Sequence, residues 1–264
     1  MSHLQNRESD GVEVFRSPLL EALPFIRHGF STRRGGVSEG PYHSLNLGQA
    51  AGEEPDRVRE NRRRFFEAVG MAPARLAEVH QVHGAGVVAA DDVPEGERVS
   101  ADAVVTVEPG VVVAVQTADC LPVLIADSKR RAVAAVHAGR KGIAAGVLAA
   151  AVRQMGERFG SRPGDLFAGL GPAISGLCYE VGEECLPPFR MRYRDWRDFT
   201  VPLGRGKWLL DLPEASRRQL AAAGVPAGQI GLPGPCTFSE SARFFSYRRD
   251  GAPTGRLWAV IGMF

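Results

Sequence analysis

Residues 111–137 are so dense in β-branched and small apolar side chains that they have to fold as buried strands. Segments 111–117, 121–126 and 132–136 read as three such strands, each a short apolar run closed by a turn signal. The polar stretch Asp127-Ser128-Lys129-Arg130-Arg131 suits a hairpin between the last two. That hairpin carries Cys120, at the start of one strand, toward His137 at the end of the other. The two residues are distant in sequence, and only the hairpin brings them together.

Around this centre the pattern alternates irregularly between strand and helix. Residues 12–15 and 26–30 read as short strands, followed by the loop Ser31-Thr32-Arg33-Arg34-Gly35-Gly36. Over 56–69, Val58, Phe65, Phe66 and Val69 recur at helical spacing, and Gly70 stands where a helix would stop. Residues 78–83 read as a strand with Val79, Gln81 and His83 on one face and His80 and Val82 on the other. After His137, the turn Ala138-Gly139-Arg140-Lys141-Gly142 feeds an amphipathic helix whose stripe is Ile143, Val147, Ala151, Val152, Met155 and Phe159. A strand over 166–170, a helix over 213–223 with proline in its first turn, and a terminal hairpin of 244–248 with 257–263 across Asp250-Gly251 complete the pass. No repeat or clean linker divides the chain. The expectation is a loose tail over 1–11 and one mixed α/β (α+β) domain over 12–264.

Charge and composition narrow the function. A net charge of +2 offers no general field for nucleic acid or a membrane surface, and the runs Arg62-Arg63-Arg64 and Lys129-Arg130-Arg131 read as solvated faces. The first ten residues hold no apolar core of a signal peptide. The longest small-apolar run, 143–152, is too short to span a bilayer. Four cysteines without the dense spacing of a secreted scaffold point to the cytoplasm.

The chemistry-bearing candidates are His83, Cys120 and His137, each at the expected end of a strand beside glycine or a turn. Two imidazoles and a thiolate form a soft three-ligand set that suits zinc and leaves a fourth tetrahedral position open for water or substrate. The chain has no Cys-x-x-Cys pair, which argues against a structural zinc ribbon. Asp119 either orients a ligand or caps a turn. Arg33, Lys141, Arg248 and Arg249 are candidate phosphate or base contacts, since guanidinium forks match phosphate oxygens. The turn after His137 is either an anion seat at a helix start or an ordinary strand-to-helix join.

The segments His28-Gly29-Phe30-Ser31-Thr32-Arg33-Arg34-Gly35-Gly36-Val37-Ser38, Ser44-Leu45-Asn46-Leu47-Gly48, Gln81-Val82-His83-Gly84, Thr117-Ala118-Asp119-Cys120-Leu121-Pro122-Val123, His137-Ala138-Gly139, Gly171-Pro172-Ala173-Ile174, Cys178-Tyr179-Glu180-Val181 and Phe245-Ser246-Tyr247-Arg248-Arg249-Asp250-Gly251 resemble the YfiH/YlmD family, also called the laccase-domain or polyphenol-oxidase family. They occur in the family's order over about residues 28–262. The resemblance implies a four-layer α/β/β/α fold and a zinc site whose ligands map onto His83, Cys120 and His137. It also implies phosphorolysis of adenosine, inosine and methylthioadenosine, with adenosine deamination alongside. On that reading the partners are nucleoside and phosphate. Arg33, Lys141 and Arg248 are the candidates to bind phosphate or substrate, and Ser44 and Asn46 to meet hydroxyls. Cys178 matches a family position but no ligand. The chain departs from the family at Arg140-Lys141, where Trp-Arg is usual, so a flat aromatic wall is lost.

Two rival chemistries use the same residues. A copper phenol oxidase would place copper in the His-Cys-His set, which the divalent affinity order allows. Six histidines without a His-x-His pair are poor material for the additional trinuclear cluster of a multicopper oxidase. A metal-free cysteine hydrolase would use Cys120 as nucleophile and a histidine as base.

Overall fold

The computed structural model describes residues 3–49, 52–73 and 75–264. In chain order the first half contains β1 (Gln5–Ser9), β2 (Val12–Arg16), α1 (Pro18–Glu21), β3 (Ile26–Ser31), α2 (Pro55–Val69), β4 (Arg75–His80), β5 (Val87–Ala89), β6 (Val99–Ser100), β7 (Ala103–Thr106) and β8 (Val111–Thr117). The hairpin β9 (Leu121–Asp127) and β10 (Val133–Ala138) follows, then α3 (Arg140–Ala145), α4 (Val147–Phe159) and β11 (Leu166–Leu170). Last come β12 (Glu180–Gly182), α5 (Pro187–Arg192), β13 (Thr200–Gly204), β14 (Lys207–Leu210), α6 (Leu212–Ala222), α7 (Tyr247–Asp250) and β15 (Leu257–Met263).

Two mixed sheets stack face to face. The larger has the order β1-β2-β3-β15-β8-β4-β6, with β4 parallel to β8 and β6 and the other pairs antiparallel. The smaller runs β11-β9-β10-β7-β5, parallel only between β5 and β7. Between them lies an apolar core in which Phe30, Val113, Val115 and Ile261 of one sheet meet Val104, Leu124, Val133 and Ala135 of the other. The outer face of the larger sheet packs Val112, Trp258 and Val260 on Phe65 and Val69 of α2. The outer face of the smaller sheet packs Val123, Ala134 and Val136 against Ile143, Leu148, Met155 and Leu220 from α3, α4 and α6. The result is four layers, α/β/β/α, in one domain. Strands β8, β9 and β10 are apolar on both faces because both faces are covered.

Several boundaries differ from the sequence reading for local reasons. Residues 5–9, expected in a loose tail, pair along β2 as β1. The hairpin closes through Asp10 and Gly11, both at positive φ (50° and 77°), as a two-residue turn requires. Met1 and Ser2 lie outside the described residues. The strand expected over 78–83 ends at His80, so His83 sits in a turn and strand alternation does not set its direction. The single helix expected after His137 is interrupted at Gly146, φ 94°, where the Arg192 guanidinium donates to Ala144 O and Ala145 O and closes α3. The expected terminal hairpin does not form. Ser246 instead caps α7, its hydroxyl accepting from the Arg249 N–H, while β15 inserts between β3 and β8.

Candidate metal centre and its cavity

The metal-ligand candidates meet where the hairpin β9–β10 opens toward the end of β4. In the β9–β10 register His137 lies opposite Pro122 and Ala138 opposite Leu121, which brings Cys120 to the same end. The connection from β8 to β9 turns at Asp119, φ 92°, a left-handed conformation that an aspartate tolerates when its side chain is anchored. Asp119 Oδ1 accepts from the Thr237 hydroxyl at 2.7 Å and Oδ2 accepts from the Arg248 N–H at 2.7 Å. Asp119 therefore caps the turn and also ties the Cys120 loop to the start of α7.

Asp102, just before β7, organises both histidines and was not singled out from the sequence. Its carboxylate accepts the backbone N–H groups of Val82, His83 and Gly84 at 3.3, 2.9 and 2.6 Å. This three-fold anchor holds His83 at φ 59°. The same carboxylate lies 2.8 Å from His137 Nδ1, which places the proton there and leaves Nε2 to face the thiol. Nothing in the local pattern marks Asp102 except a carboxylate set in an otherwise apolar strand entry.

The ligand atoms of His83, Cys120 and His137 all lie within 4.8 Å of one another, and His83 Nε2 is 3.9 Å from Cys120 Sγ. Gly139 forms the floor between them. A Cβ at that position would stand 2.9 Å from His83 Cδ2, 3.2 Å from Cys120 Sγ and 3.3 Å from His137 Cε1. Burial pushes the Cys120 thiol up, but hydrogen bonds and charge from His137 and His83 outweigh it and bring the thiol down to about 6. Burial pulls His137 down, yet Asp102 and the Cys120 thiolate hold it up at about 9. Burial raises Asp102, and the His137 and backbone hydrogen bonds reverse that to a net lowering. The metal-free group is thus biased toward a Cys120 thiolate paired with a protonated His137, whose Nε2 proton a bound metal would displace. That imidazole is oriented by a buried carboxylate, so the donor set fits a soft divalent ion such as zinc.

The group opens onto a cavity of ≈ 700 Å³ whose walls include Gln81, Arg98, Gln116, Tyr179, Arg248 and Arg256. Small-molecule sites typically occupy about 300–1,000 Å³. Arg248 lines it, with Nη1 donating to Glu180 O at 2.8 Å and its guanidinium 4.9 Å from the Tyr179 ring centroid. Arg33 and Ser44 do not reach this cavity. They line a separate cleft of ≈ 400 Å³ with Arg34 and His43, where the Ser44 hydroxyl accepts from Gly36 N–H and donates to Arg33 O. Asn46 is wholly buried. Its amide donates to Gly48 O and Glu53, and its oxygen accepts from the Gly48 and Arg256 N–H groups, so it cannot meet a substrate hydroxyl. Lys141 is exposed on α3 and is not part of the cavity wall. Arg249 is turned inward, bonded to the carbonyls of Thr237, Phe238 and Phe244.

Fold and site together define a mixed α/β protein with one His-Cys-His group able to hold a metal at the floor of a small-molecule cavity. The chain belongs to the family described as multi-copper polyphenol oxidoreductase laccase, whose model matches residues 27–264. It is 43% identical to a purine nucleoside phosphorylase of Deinococcus radiodurans over 254 residues, covering 96% of this chain and 94% of that one. It is also 43% identical to the purine nucleoside phosphorylase YfiH of Escherichia coli over 232 residues, 88% of this chain and 91% of the relative. The crystal structure of YlmD from Geobacillus stearothermophilus superposes with a TM-score of 0.90 at 34% identity, covering 98% of each chain. No helix among the described residues is long and apolar enough to cross a membrane.

Proposed function

We propose that this chain is a zinc-dependent purine nucleoside phosphorylase acting on adenosine, inosine and methylthioadenosine, with adenosine deamination at the same site, in the cytoplasm. The observation that carries the reading is the convergence of His83, Cys120 and His137 at one wall of a ≈ 700 Å³ cavity that also presents Arg248. The names of the relatives support phosphorolysis in particular.

In phosphorolysis, phosphate attacks the ribose anomeric carbon as the purine leaves, and positive charge builds on the sugar. The protein's tasks are to hold an anion on one side and to stabilise the departing base on the other. Arg248 is suited to contact the nucleoside, because Tyr179 and Glu180 O fix its guanidinium and leave Nε and Nη2 without a partner among the described residues. Arg33, Ser44 and Lys141 stand outside the cavity, so the contacts expected of them fall to Arg248. A bound zinc supplies Lewis acidity and lowers the pKa of water toward neutrality, which is what deamination of adenosine requires. Asp102 keeps the His137 proton on Nδ1, and Gly139 keeps the space between the ligands free. Chromatography of adenosine and inosine incubated with the protein, with and without phosphate, tests this. Phosphate-dependent release of adenine or hypoxanthine is expected, and neither free base nor inosine from adenosine would end the proposal.

One observation favours a second reading. Asp102, His137 and Cys120 form a line in which a buried carboxylate orients an imidazole that faces a depressed thiol, the arrangement of a cysteine hydrolase. Metal-stripped protein challenged with an activated ester distinguishes the two. A Cys120 acyl adduct by mass spectrometry supports the hydrolase, and an adduct-free protein that still splits inosine when metal is restored rejects it.

A further inference from the structure

The cavity has a second cationic wall, away from the ligand group, built by Arg98 and Arg256. Arg256 immediately precedes β15, and Arg98 immediately precedes β6. Between them, across β8 and β4, lie Gln116 and Glu78. Glu78 is nearly buried and already saturated. It accepts from Arg98 Nη2 at 2.7 Å, Arg62 Nη1 at 3.2 Å and Gln116 Nε2 at 3.0 Å. One carboxylate thus answers two guanidiniums, and Arg256 forms no ion pair among the described residues. Arg62 and Glu78 line an adjoining cleft, so the cations this wall presents to the cavity are Arg98, shared with Glu78, and Arg256. Glu95 and Glu97 face that same cleft, which shares Arg98, and do not line this cavity.

Arg256 is held in place, not merely present. Its N–H donates to Asn46 Oδ1 at 2.8 Å, and its Nη1 donates to Thr254 O and Gly255 O at 3.0 Å each. Gly48 presses on its stem, since a Cβ there would lie 2.7 Å from Arg256 Cβ and Cγ. The Ser44-Leu45-Asn46-Leu47-Gly48 motif, which makes no contact with the cavity itself, thereby acts as the support of this arginine. Nε and Nη2 of Arg256, and Nε and Nη1 of Arg98, have no hydrogen-bond partner among the described residues. Fixed, unsatisfied guanidinium edges bordering a cavity are what a phosphoryl group binds.

We infer that Arg98 and Arg256 form a phosphoryl-oxyanion subsite at this wall, taking free phosphate or the phosphate of a nucleotide, with Asn46 as the positioning residue. Its assignment to the phosphate of phosphorolysis rests on the function proposed above; its existence as an anion site does not.

Isothermal titration of the full-length protein with inorganic phosphate, adenosine and adenosine 5′-monophosphate tests it, comparing wild type with Arg98→Gln/Arg256→Gln. Loss of two charge-assisted contacts is expected to weaken phosphate by about tenfold or more, while adenosine binding stays within about twofold. If the subsite serves a nucleotide, the monophosphate binds wild type more tightly than adenosine does, and the variant loses that advantage. Phosphate and monophosphate affinities unchanged in the variant, or no binding of either to wild type, overturn the inference. Arg98→Gln alone, on a partly exposed side chain, carries the test should the double variant unfold. Because titration needs no turnover, phosphate bound here without hypoxanthine released from inosine would leave the subsite standing and remove the phosphorylase reading.

Discussion

Replacing Asp102 by asparagine tests the organisation of the centre most directly. Asp102 is wholly buried, and its two oxygens serve four donors: His137 Nδ1 at 2.8 Å and the N–H groups of Val82, His83 and Gly84 at 3.3, 2.9 and 2.6 Å. A carboxamide keeps the shape but offers one acceptor oxygen, so its NH₂ must face donors. If the NH₂ replaces Oδ2, the Val82 and Gly84 N–H groups lose their acceptor; if it replaces Oδ1, His83 N–H and the His137 ring do. Buried donors left without acceptors cost about 1–3 kcal/mol each, so with two stranded the variant should be roughly 2–6 kcal/mol less stable. Metal affinity should fall about 10–100-fold, the usual effect of removing the partner that orients a ligating histidine. Both quantities are measurable on one preparation, stability by urea unfolding and zinc affinity by competition with a chromophoric chelator. A folded Asp102→Asn protein that holds zinc as tightly as wild type would refute the view that Asp102 orients His137 for the metal.

Three further outcomes follow from the geometry. In metal-stripped protein, the Cys120 alkylation rate should rise with pH around a midpoint of about 6, as the thiolate forms, and zinc should suppress it at every pH; a midpoint in the ordinary thiol range would contradict the His137 and His83 contacts. Gly139→Ala, at an unstrained φ of −75°, should leave the fold intact while its methyl crowds all three ligands, so metal content after dialysis drops to a small fraction of wild type; full stoichiometry would show that the ligands converge elsewhere. His28 is buried with Nε2 accepting from the Ser17 N–H, and desolvation, aided by Arg16, depresses it to about 3. Its folded pKa lies below the unfolded one, so its contribution is fully present above about pH 6.5 and is lost as pH falls toward 3, amounting to about 5 kcal/mol at the acid end. His28→Gln, which keeps an acceptor but cannot titrate, should flatten the acid limb of stability against pH, and an unchanged slope would count against the assignment.

Legibility in the sequence divided along physical lines. Segments covered on both faces were readable because burial writes itself into composition: β8 coincides with the apolar run over 111–117, and the β9–β10 hairpin places His137 opposite Pro122 as the intervening turn suggests. Helix α2 was equally plain, from its apolar stripe to the left-handed Gly70 that ends it. Pairing set by the partner strand was harder. Asp-Gly occurs at both ends of the chain, and the one at Asp10-Gly11 closes a hairpin whereas the one at Asp250-Gly251 ends a helical turn. The difference lies in Ser246, whose hydroxyl caps the turn, and in β3 and β8, which compete for β15 from far along the chain. His83 joins Cys120 and His137 although it lies beyond the end of its strand, because the hydrogen bonds of Val82, His83 and Gly84 N–H to Asp102, and not alternation, aim it. Asp102 itself left no trace, since its partners are backbone N–H groups and one distant imidazole. Asn46 reads from the sequence as a hydroxyl contact, whereas its side chain bonds Gly48, Glu53 and the Arg256 N–H, an arrangement invisible without the return of residue 256 beside residue 46.

The family description speaks of several coppers, and the arrangement of imidazoles bears on how many metals this chain can hold. Of the six histidines in the chain, His83 and His137 converge with Cys120. His28 is locked inside the larger sheet against Ser17, and His43 lines the separate cleft beside Arg33. His80 ends β4 on the cavity wall outside that group, and among the described residues the group of His83, Cys120 and His137 is the one set of three or more placed to share an ion. Copper would compete well for that group on affinity alone. A multicopper oxidase, however, needs a histidine-rich cluster of further ions to reduce dioxygen to water, and the remaining imidazoles are too scattered to supply one. The chain should therefore bind about one metal per molecule whether zinc or copper is offered, consistent with a single set of ligands. Metal analysis of protein loaded with each ion, paired with oxygen consumption on a phenol, decides the matter: several coppers per chain together with phenol turnover would overturn the single-centre view.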